Sequence, residues 1–299
     1  MFSILIANYN NGDLFKDCWR SIINQTVQDF EVIIVDDAST NNSVALIKEI
    51  VNGDARVNIF ENDKNYGCGY TKRRCAELAQ GKICAFLDPD DAIVENALEV
   101  MLEAHKNNPE ASVVSSKYYF VDMQMNILSE GLNGETMPNC YSYLTYGKGA
   151  MTAFASFKKS NYNKTTGLKA DLKRAVDQDL YYKLEETGRP VFINKVLYYY
   201  RVQERSISMS SNAFKAEYWH YFLKKETYFR RKKNPTQAIN FTEKEFAIEE
   251  QNYFINRIKY EASQKNWCKK YYFVLLAFSK GFTPHFKHKV KCLLMFKYS

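Results

Sequence analysis

Hydrophobic positions in the first 110 residues of the chain switch repeatedly between two periods. Strongly apolar runs at residues 2–7, 30–35 and 83–87, and a more mixed one at 57–61, alternate with segments near 14–24, 42–51, 71–79 and 95–107, whose apolar positions fall three and four apart. Runs this continuous and rich in β-branched residues predict strands buried on both faces, and the intervening segments predict helices with one buried side. The order β-α-β-α-β-α-β predicts an α/β fold with a mostly parallel, Rossmann-like sheet flanked by helices and right-handed crossovers. Residues 111–116 add a strand, with 118–122 either continuing it or forming a neighbouring edge. Between 123 and 170 the period weakens and Gly131, Gly134, Gly147, Gly149 and Gly167 break the chain into loops and short strands, a region suited to shaping around a substrate. A helix is expected at 175–187, a strand at 190–200 ending in Arg201, and a helical extension over 214–231 and 242–280.

Two of the buried runs empty into acids. Residues 83–87 lead into Asp88, Pro89, Asp90 and Asp91, and residues 30–35 lead into Asp36 and Asp37. Carboxylates at the carboxyl edge of a parallel sheet, where open α/β folds bind ligands, are suited to magnesium or manganese and through it to phosphate. Acids in such turns also cap helices, so Asp90 or Asp91 alone reads equally as the start of the next helix. The first strand ends in Asn8 and Tyr9, adding an aromatic ring to the same edge. A glycine-containing segment, residues 65–70, precedes a helix carrying Lys72, Arg73 and Arg74, where cations suit a diphosphate. It lacks the third glycine of a dinucleotide fingerprint and follows the wrong strand, which argues against a nicotinamide enzyme.

Composition narrows the setting. A chain of 299 residues, 46% hydrophobic, can bury one large core or two modest ones. Without a basic leader before the first strand, or an apolar run long enough to span a bilayer, a cytoplasmic protein is expected. Seven cysteines with no C-x-x-C pair point to reduced fillers, and His285 with His288 reads as solvated surface. Charge is unevenly placed: residues 1–214 hold 23 basic and 27 acidic side chains, residues 215–299 hold 18 and 7. Residues 264–299 carry eight lysines and no acid, interleaved with Trp267, Tyr271, Tyr272, Phe273 and Phe278. That interleaving suits either an anionic membrane surface or packing on the body with lysines in solvent. No helix-turn-helix, RRM or zinc pattern accompanies the basic charge, so a nucleic-acid partner is not expected.

Taken as a set, FSILIANYN at the start, SIINQTVQDFEVIIVDDAST, NYGCGY and GKICAFLDPDD resemble the family 2 glycosyltransferases of the GT-A fold, in particular those of bacterial surface polysaccharides; the resemblance covers residues 1 to about 210. It implies a nucleotide-sugar-binding region at 1–110, an acceptor-side region at 111–213 within the same domain, and a basic aromatic extension at 214–299. Ala7 and Tyr9 resemble the nucleoside pocket and Asp37 the acid that accepts from the base, with Asp36 beside it. Asp88 and Asp90 resemble the DXD element whose Mn2+ or Mg2+ ion bridges the donor phosphates, with Asp91 supporting or sharing that role. Lys72 or Arg73 stands where the family has its diphosphate-binding arginine. Asp177, in AVDQDL, resembles the general base, with Val176 in place of the usual Glu; Asp179 reads as structural. YYYRVQERSIS resembles the strand ending in Tyr-Arg-x-His, with Arg201, Ser206 and Ser208 matching and Gln203 replacing His, which implies that Arg201 and Gln203 contact the donor. The resemblance implies metal-dependent, inverting transfer from a UDP-linked sugar to a hydroxyl on a glycan or lipid-linked saccharide, in polysaccharide or lipopolysaccharide synthesis at the inner face of the membrane. A nucleotidyltransferase, or a sugar-nucleotide-binding domain without activity, would use the same sheet edge.

Overall fold

The structure is a computed structural model and describes residues 1–138, 141–147, 149–203, 213–234 and 242–280. The chain forms two compact units, Met1–Met209 and Ser210–Ser299. In the first, β1 (Phe2–Asn8), β2 (Phe30–Asp36), β3 (Val57–Glu61) and β4 (Ile83–Phe86) pair in parallel in the order β3-β2-β1-β4. Every residue of β2 is buried, Glu31 included, as its nearly continuous apolar run predicts. Helices α1 (Phe15–Ile23), α2 (Ser43–Val51), α3 (Cys68–Leu78) and α4 (Ala97–Asn107) make the connections. Helix α1 shows why: Phe15, Cys18, Trp19 and Ile22 recur at helical spacing and form one buried stripe. That stripe joins Phe2, Ile4 and Ile6 of β1 and Val32 and Ile34 of β2 in a single core.

Beyond β4 the sheet changes character. The short β8 (Ala155–Lys158) inserts antiparallel between β4 and β6 (Ala111–Val121). β6 runs parallel to β9 (Arg189–Arg201), and the two-residue β5 (Ala92–Ile93) closes the edge against β9. β7 (Ile127–Glu130) pairs with β6 outside this order. The region of weak periodicity therefore supplies a central strand. Four residues are too few to show a period, and β8 is held by partners on both sides. Short helices α5 (Tyr143–Tyr146) and α6 (Lys159–Tyr162) flank it, and α7 (Val176–Glu185) leads towards β9.

Two boundaries differ from expectation. Helix α3 begins at Cys68, earlier than residue 71, because the Asp37 carboxylate accepts the backbone N–H groups of Tyr66 (2.9 Å) and Gly67 (2.7 Å) and so organises its approach from 30 residues away. The stretch expected as helix over 242–280 is two helices, α9 (Glu243–Ser263) and α10 (Trp267–Ser279). Lys265 breaks it in a left-handed conformation, and the Asn266 side chain caps α10.

In the second unit, α8 (Ala213–Lys232) precedes α9 and α10. Tyr253, Phe254 and Ile258 of α9 meet Ala277 and Phe273 of α10, and Tyr221 stacks on Tyr253 at 4.0 Å. The buried Glu250 accepts from Tyr221 (2.5 Å) and pairs with Lys225 (2.9 Å) and Lys280 (2.6 Å). Along α10, Trp267, Tyr271, Tyr272 and Leu275 are exposed. Among the described residues no helix is long and apolar enough to cross a membrane. Residues 281–299 of the aromatic tail, with His285 and His288, and Ser206 and Ser208 lie outside the described residues.

Candidate active site

The strand order reverses at β1, which has β2 on one side and β4 on the other, so their carboxyl ends open a crevice at the switch point. Asn8 of β1 is in register with Asp36 of β2, and Leu87 donates its N–H to the Leu5 carbonyl at 3.0 Å, which delivers Asp88 to the same edge. Ala7 is half-buried there, and the Tyr9 ring stands exposed.

The acids of the first turn are turned inward. Asp36 accepts from Asn8 Nδ2 (2.6 Å), from the Ser39 N–H (2.8 Å) and from Ser39 Oγ (2.6 Å). Asp37 accepts from Asn62 Nδ2 (2.7 Å) as well as from the Tyr66 and Gly67 amides. Both are buried. Their carboxylates tie β1 to β2 and fix the loop before α3, so any contact with a nucleoside adds to these bonds.

In the second turn the acids divide. Asp91 is buried and spends both oxygens internally, accepting from Tyr198 Oη at 2.6 Å and from the Arg201 N–H at 2.8 Å. Burial first, then the charges of Asp90 and Asp88, push its carboxyl well above the usual range. Expected as a third metal ligand, it instead pins the turn to β9. Asp90 accepts from Gln203 Nε2 at 2.5 Å, and burial followed by the Asp88 charge raises its pKa to about 6. Asp88 leaves 44% of its side chain exposed.

Facing Asp88 is Lys72, from the second turn of α3. Its Nζ lies 3.2 Å from Asp88 Oδ1 and 3.0 Å from Asp177 Oδ1, and 5.2 Å from the centre of the Phe86 ring. Burial works against its charge, but Asp177 and Asp88 outweigh that and hold its pKa well above that of free lysine. Arg73 points elsewhere, pairing with Glu77 at 2.8 Å and donating to the Leu168 carbonyl at 3.3 Å. Of the two basic residues expected at the diphosphate, the fold directs Lys72 to the acids.

Asp177 stands in the first turn of α7 with 51% of its side chain exposed. The loop ahead of α7, residues 169–172, is tied to α3 on one side and to α7 on the other. Gly69 brings its N–H to the Leu172 carbonyl at 3.0 Å, and a Cβ there would sit 2.6 Å from the Lys169 carbonyl, so only glycine permits the approach. Asp179, buried, accepts from the Lys169 N–H (2.9 Å) and from Lys183 Nζ (2.7 Å), ordering the loop ahead of α7.

Arg201 departs from its expected role. It is buried, pairs with Asp17 at 2.7 Å and donates to the Met123 carbonyl at 3.1 Å, so its guanidinium braces β9 against α1. Tyr198, Asp17 and Asn62 are partners that sequence reading missed. Each acts on a residue far along the chain, and nothing in their local pattern marks them.

Asp88 and Asp90 fit a divalent cation. They stand two residues apart in one turn, Asp88 about half exposed and Asp90 partly buried, and an ion of the magnesium type commonly takes one or two carboxylates and completes its shell with phosphate and water. Among the described residues there is no ready-made cluster of three or more metal-binding side chains. The fit is therefore to an ion shared with a phosphate ligand.

Comparisons with known proteins agree with this architecture. Residues 3–154 match the family described as glycosyl transferase family 2. The chain is 30% identical over 204 residues to chondroitin synthase of Escherichia coli, covering 66% of this chain but only 28% of that protein. It is 29% identical over 255 residues to an uncharacterized glycosyltransferase of Methanocaldococcus jannaschii, covering 81% of this chain and 83% of that one. Among solved structures, residues 1–349 of S. aureus TarS in complex with UDP-GlcNAc share the fold with a TM-score of 0.58 at 15% identity, over 90% of this chain and 89% of that one. With a parallel sheet opening at its switch point onto Asp88, Lys72 and Asp177, and with just over half its length matching one family, the chain belongs to glycosyl transferase family 2.

Proposed function

We propose that the protein transfers a sugar from a UDP-linked donor to a hydroxyl of a growing surface glycan or lipid-linked saccharide, with inversion at the anomeric carbon. The observation that carries this reading is the convergence of a donor-side acid, a buried cation and an acceptor-side acid: Lys72 Nζ lies 3.2 Å from Asp88 Oδ1 and 3.0 Å from Asp177 Oδ1. The choice of UDP rests on TarS, whose fold is shared and which has been captured with UDP-GlcNAc, and the choice of a polysaccharide acceptor on the relative named chondroitin synthase.

In this reading Tyr9 and Ala7 receive the nucleoside beside Asp37, and Asp88 and Asp90 hold the Mn2+ or Mg2+ ion. When bound, that ion supplies a Lewis acid beside the donor phosphates. Asp177 accepts the proton of the acceptor hydroxyl as that oxygen bonds to the anomeric carbon, opposite the diphosphate. The bond from that carbon to the phosphate oxygen breaks, its electron pair leaves with UDP, and the Lys72 ammonium faces the charge that develops there. Gln203 orients Asp90 through its 2.5 Å hydrogen bond.

The extension supports a second element of the reading, contact with an anionic membrane. Trp267, Tyr271, Tyr272 and Leu275 of α10 expose aromatic and aliphatic surface, and Lys269 is exposed beside them. Part of the same helix, Phe273, Leu276 and Ala277, packs on α9. The cysteines Cys18, Cys75 and Cys84 are free and buried, which suits the reducing cytoplasm proposed for the reaction. Flotation with anionic liposomes, comparing the full chain with one ending near residue 259, tests the membrane contact; equal recovery would reject it.

Calorimetric titration with UDP, GDP, CDP and dTDP, each with manganese and with chelator, tests the donor site. Metal-dependent binding of UDP is expected. Tight binding of another base would reassign the donor, and release of pyrophosphate instead of nucleoside diphosphate during turnover would make the enzyme a nucleotidyltransferase.

A further inference from the structure

Lys72 joins the two halves of the site through one charge. It rises from α3 beside the donor edge, is 6% exposed, and divides its ammonium between Asp88 at the end of β4 and Asp177 at the start of α7. Those carboxylates are 89 residues apart in sequence, and both are about half exposed, 44% and 51%. The surroundings hold the lysine's backbone in place. Gly67 opens α3 under the Asp37 carboxylate, and Gly69 is locked to the Leu172 carbonyl, so the freedom that remains lies in the four-carbon side chain and the two open acids.

We propose that Lys72 is a donor-operated latch on Asp177. Without donor, the ammonium holds the Asp177 carboxylate towards the donor edge and away from an incoming hydroxyl. A diphosphate arriving at Asp88 and Asp90 competes for the same ammonium and draws it off, leaving Asp177 free for the acceptor. Lys72 is then a positioning residue for the base as well as a contact for the donor, and the base is released only when there is a sugar to transfer. The inference rests on the donor and base assignments proposed above, and deepens them by coupling one to the other.

The coupling is measurable without turnover, because a latch makes Asp177 a competitor of the diphosphate. The full chain is titrated with UDP and manganese as wild type, Asp177→Asn, Lys72→Met and the double variant. Asp177→Asn is expected to tighten UDP binding by about three- to tenfold when Lys72 is present, and by less than about twofold when it is Met. Equal tightening in both backgrounds would mean that the Asp177 charge acts on the diphosphate through space, and would overturn the latch. No tightening with Lys72 present would overturn it too, and that arm needs only the isosteric change at the half-exposed Asp177. Lys72→Gln replaces Lys72→Met should the latter not fold. Failure of the underlying donor assignment reads differently: the wild-type chain itself would then bind none of UDP, GDP, CDP or dTDP.

Discussion

The turn after β2 and the turn after β4 are built from the same local pattern, a buried strand running into adjacent acids, yet they have opposite fates. Asp36 and Asp37 are 2% and 3% exposed and accept six hydrogen bonds from Asn8, Ser39, Asn62, Tyr66 and Gly67. Asp88 keeps 44% of its side chain open and meets the single ammonium of Lys72. The difference lies in which donors the rest of the chain brings. The loop before α3 arrives over Asp37 with two free N–H groups and an amide, whereas the turn after β4 faces the crevice, and only Asp91, under β9, is satisfied in the same way. A carboxylate surrounded by donors becomes scaffold; one left facing water beside a cation remains available for chemistry.

Substitutions at these turns and at Asp177 would sharpen that contrast. The largest effect is expected at Asp177→Asn, which should lower the rate of sugar transfer by about 10²- to 10⁴-fold without weakening UDP binding, as read by steady-state kinetics alongside calorimetry. Retention of full transfer would move the base elsewhere. Next comes Asp37→Ala, which strands two backbone N–H groups and the Asn62 amide and should cost about 3 kcal/mol. Asp88→Ala should cost only about 1 kcal/mol, because its Lys72 partner keeps Asp177. Denaturant unfolding of both variants decides the point, and equal losses would erase the division between scaffold and site. Asp90→Ala should reduce manganese-dependent UDP affinity by at least about tenfold while leaving the fold intact; unchanged affinity would remove Asp90 from the metal site.

The smallest expected effect is a dependence on pH. Burial, then Asp88, raises the Asp90 pKa from 3.8 to about 6, so the folded chain holds this proton more tightly than the unfolded chain. The stability it contributes is complete below the ordinary carboxylate pKa and is lost as pH rises through about 6. Asp90→Asn should flatten that part of the stability profile, measured by denaturant unfolding from about pH 4 to pH 7. An unchanged slope would assign it to other groups.

Much of the fold was legible because its signals are local. The nearly continuous apolar run at 30–35 and the helical spacing of Phe15, Cys18, Trp19 and Ile22 depend on neighbours within a few residues, and both elements formed where expected. β8 was not legible, since four residues carry no period and its place in the sheet comes from β4 and β6. The start of α3 differs from expectation for a related reason: its organising acceptor is Asp37, in another βα unit.

The candidate site divides along the same line. Sequence alone determined which residues reach the crevice, because a strand's end and the turn after it are set by local periodicity, and Asp36, Asp37, Asp88, Asp90 and Asp91 all stand at such ends. Only the tertiary structure decided what each of them does there. Asp91 and Arg201 became braces, Lys72 was chosen over Arg73, and Asp177 was brought to within 3.0 Å of Lys72 across 105 positions of chain. The physical reason is that a carboxylate's role depends on the donors and charges around it in space, and these come from strands and helices whose mutual approach no local pattern encodes.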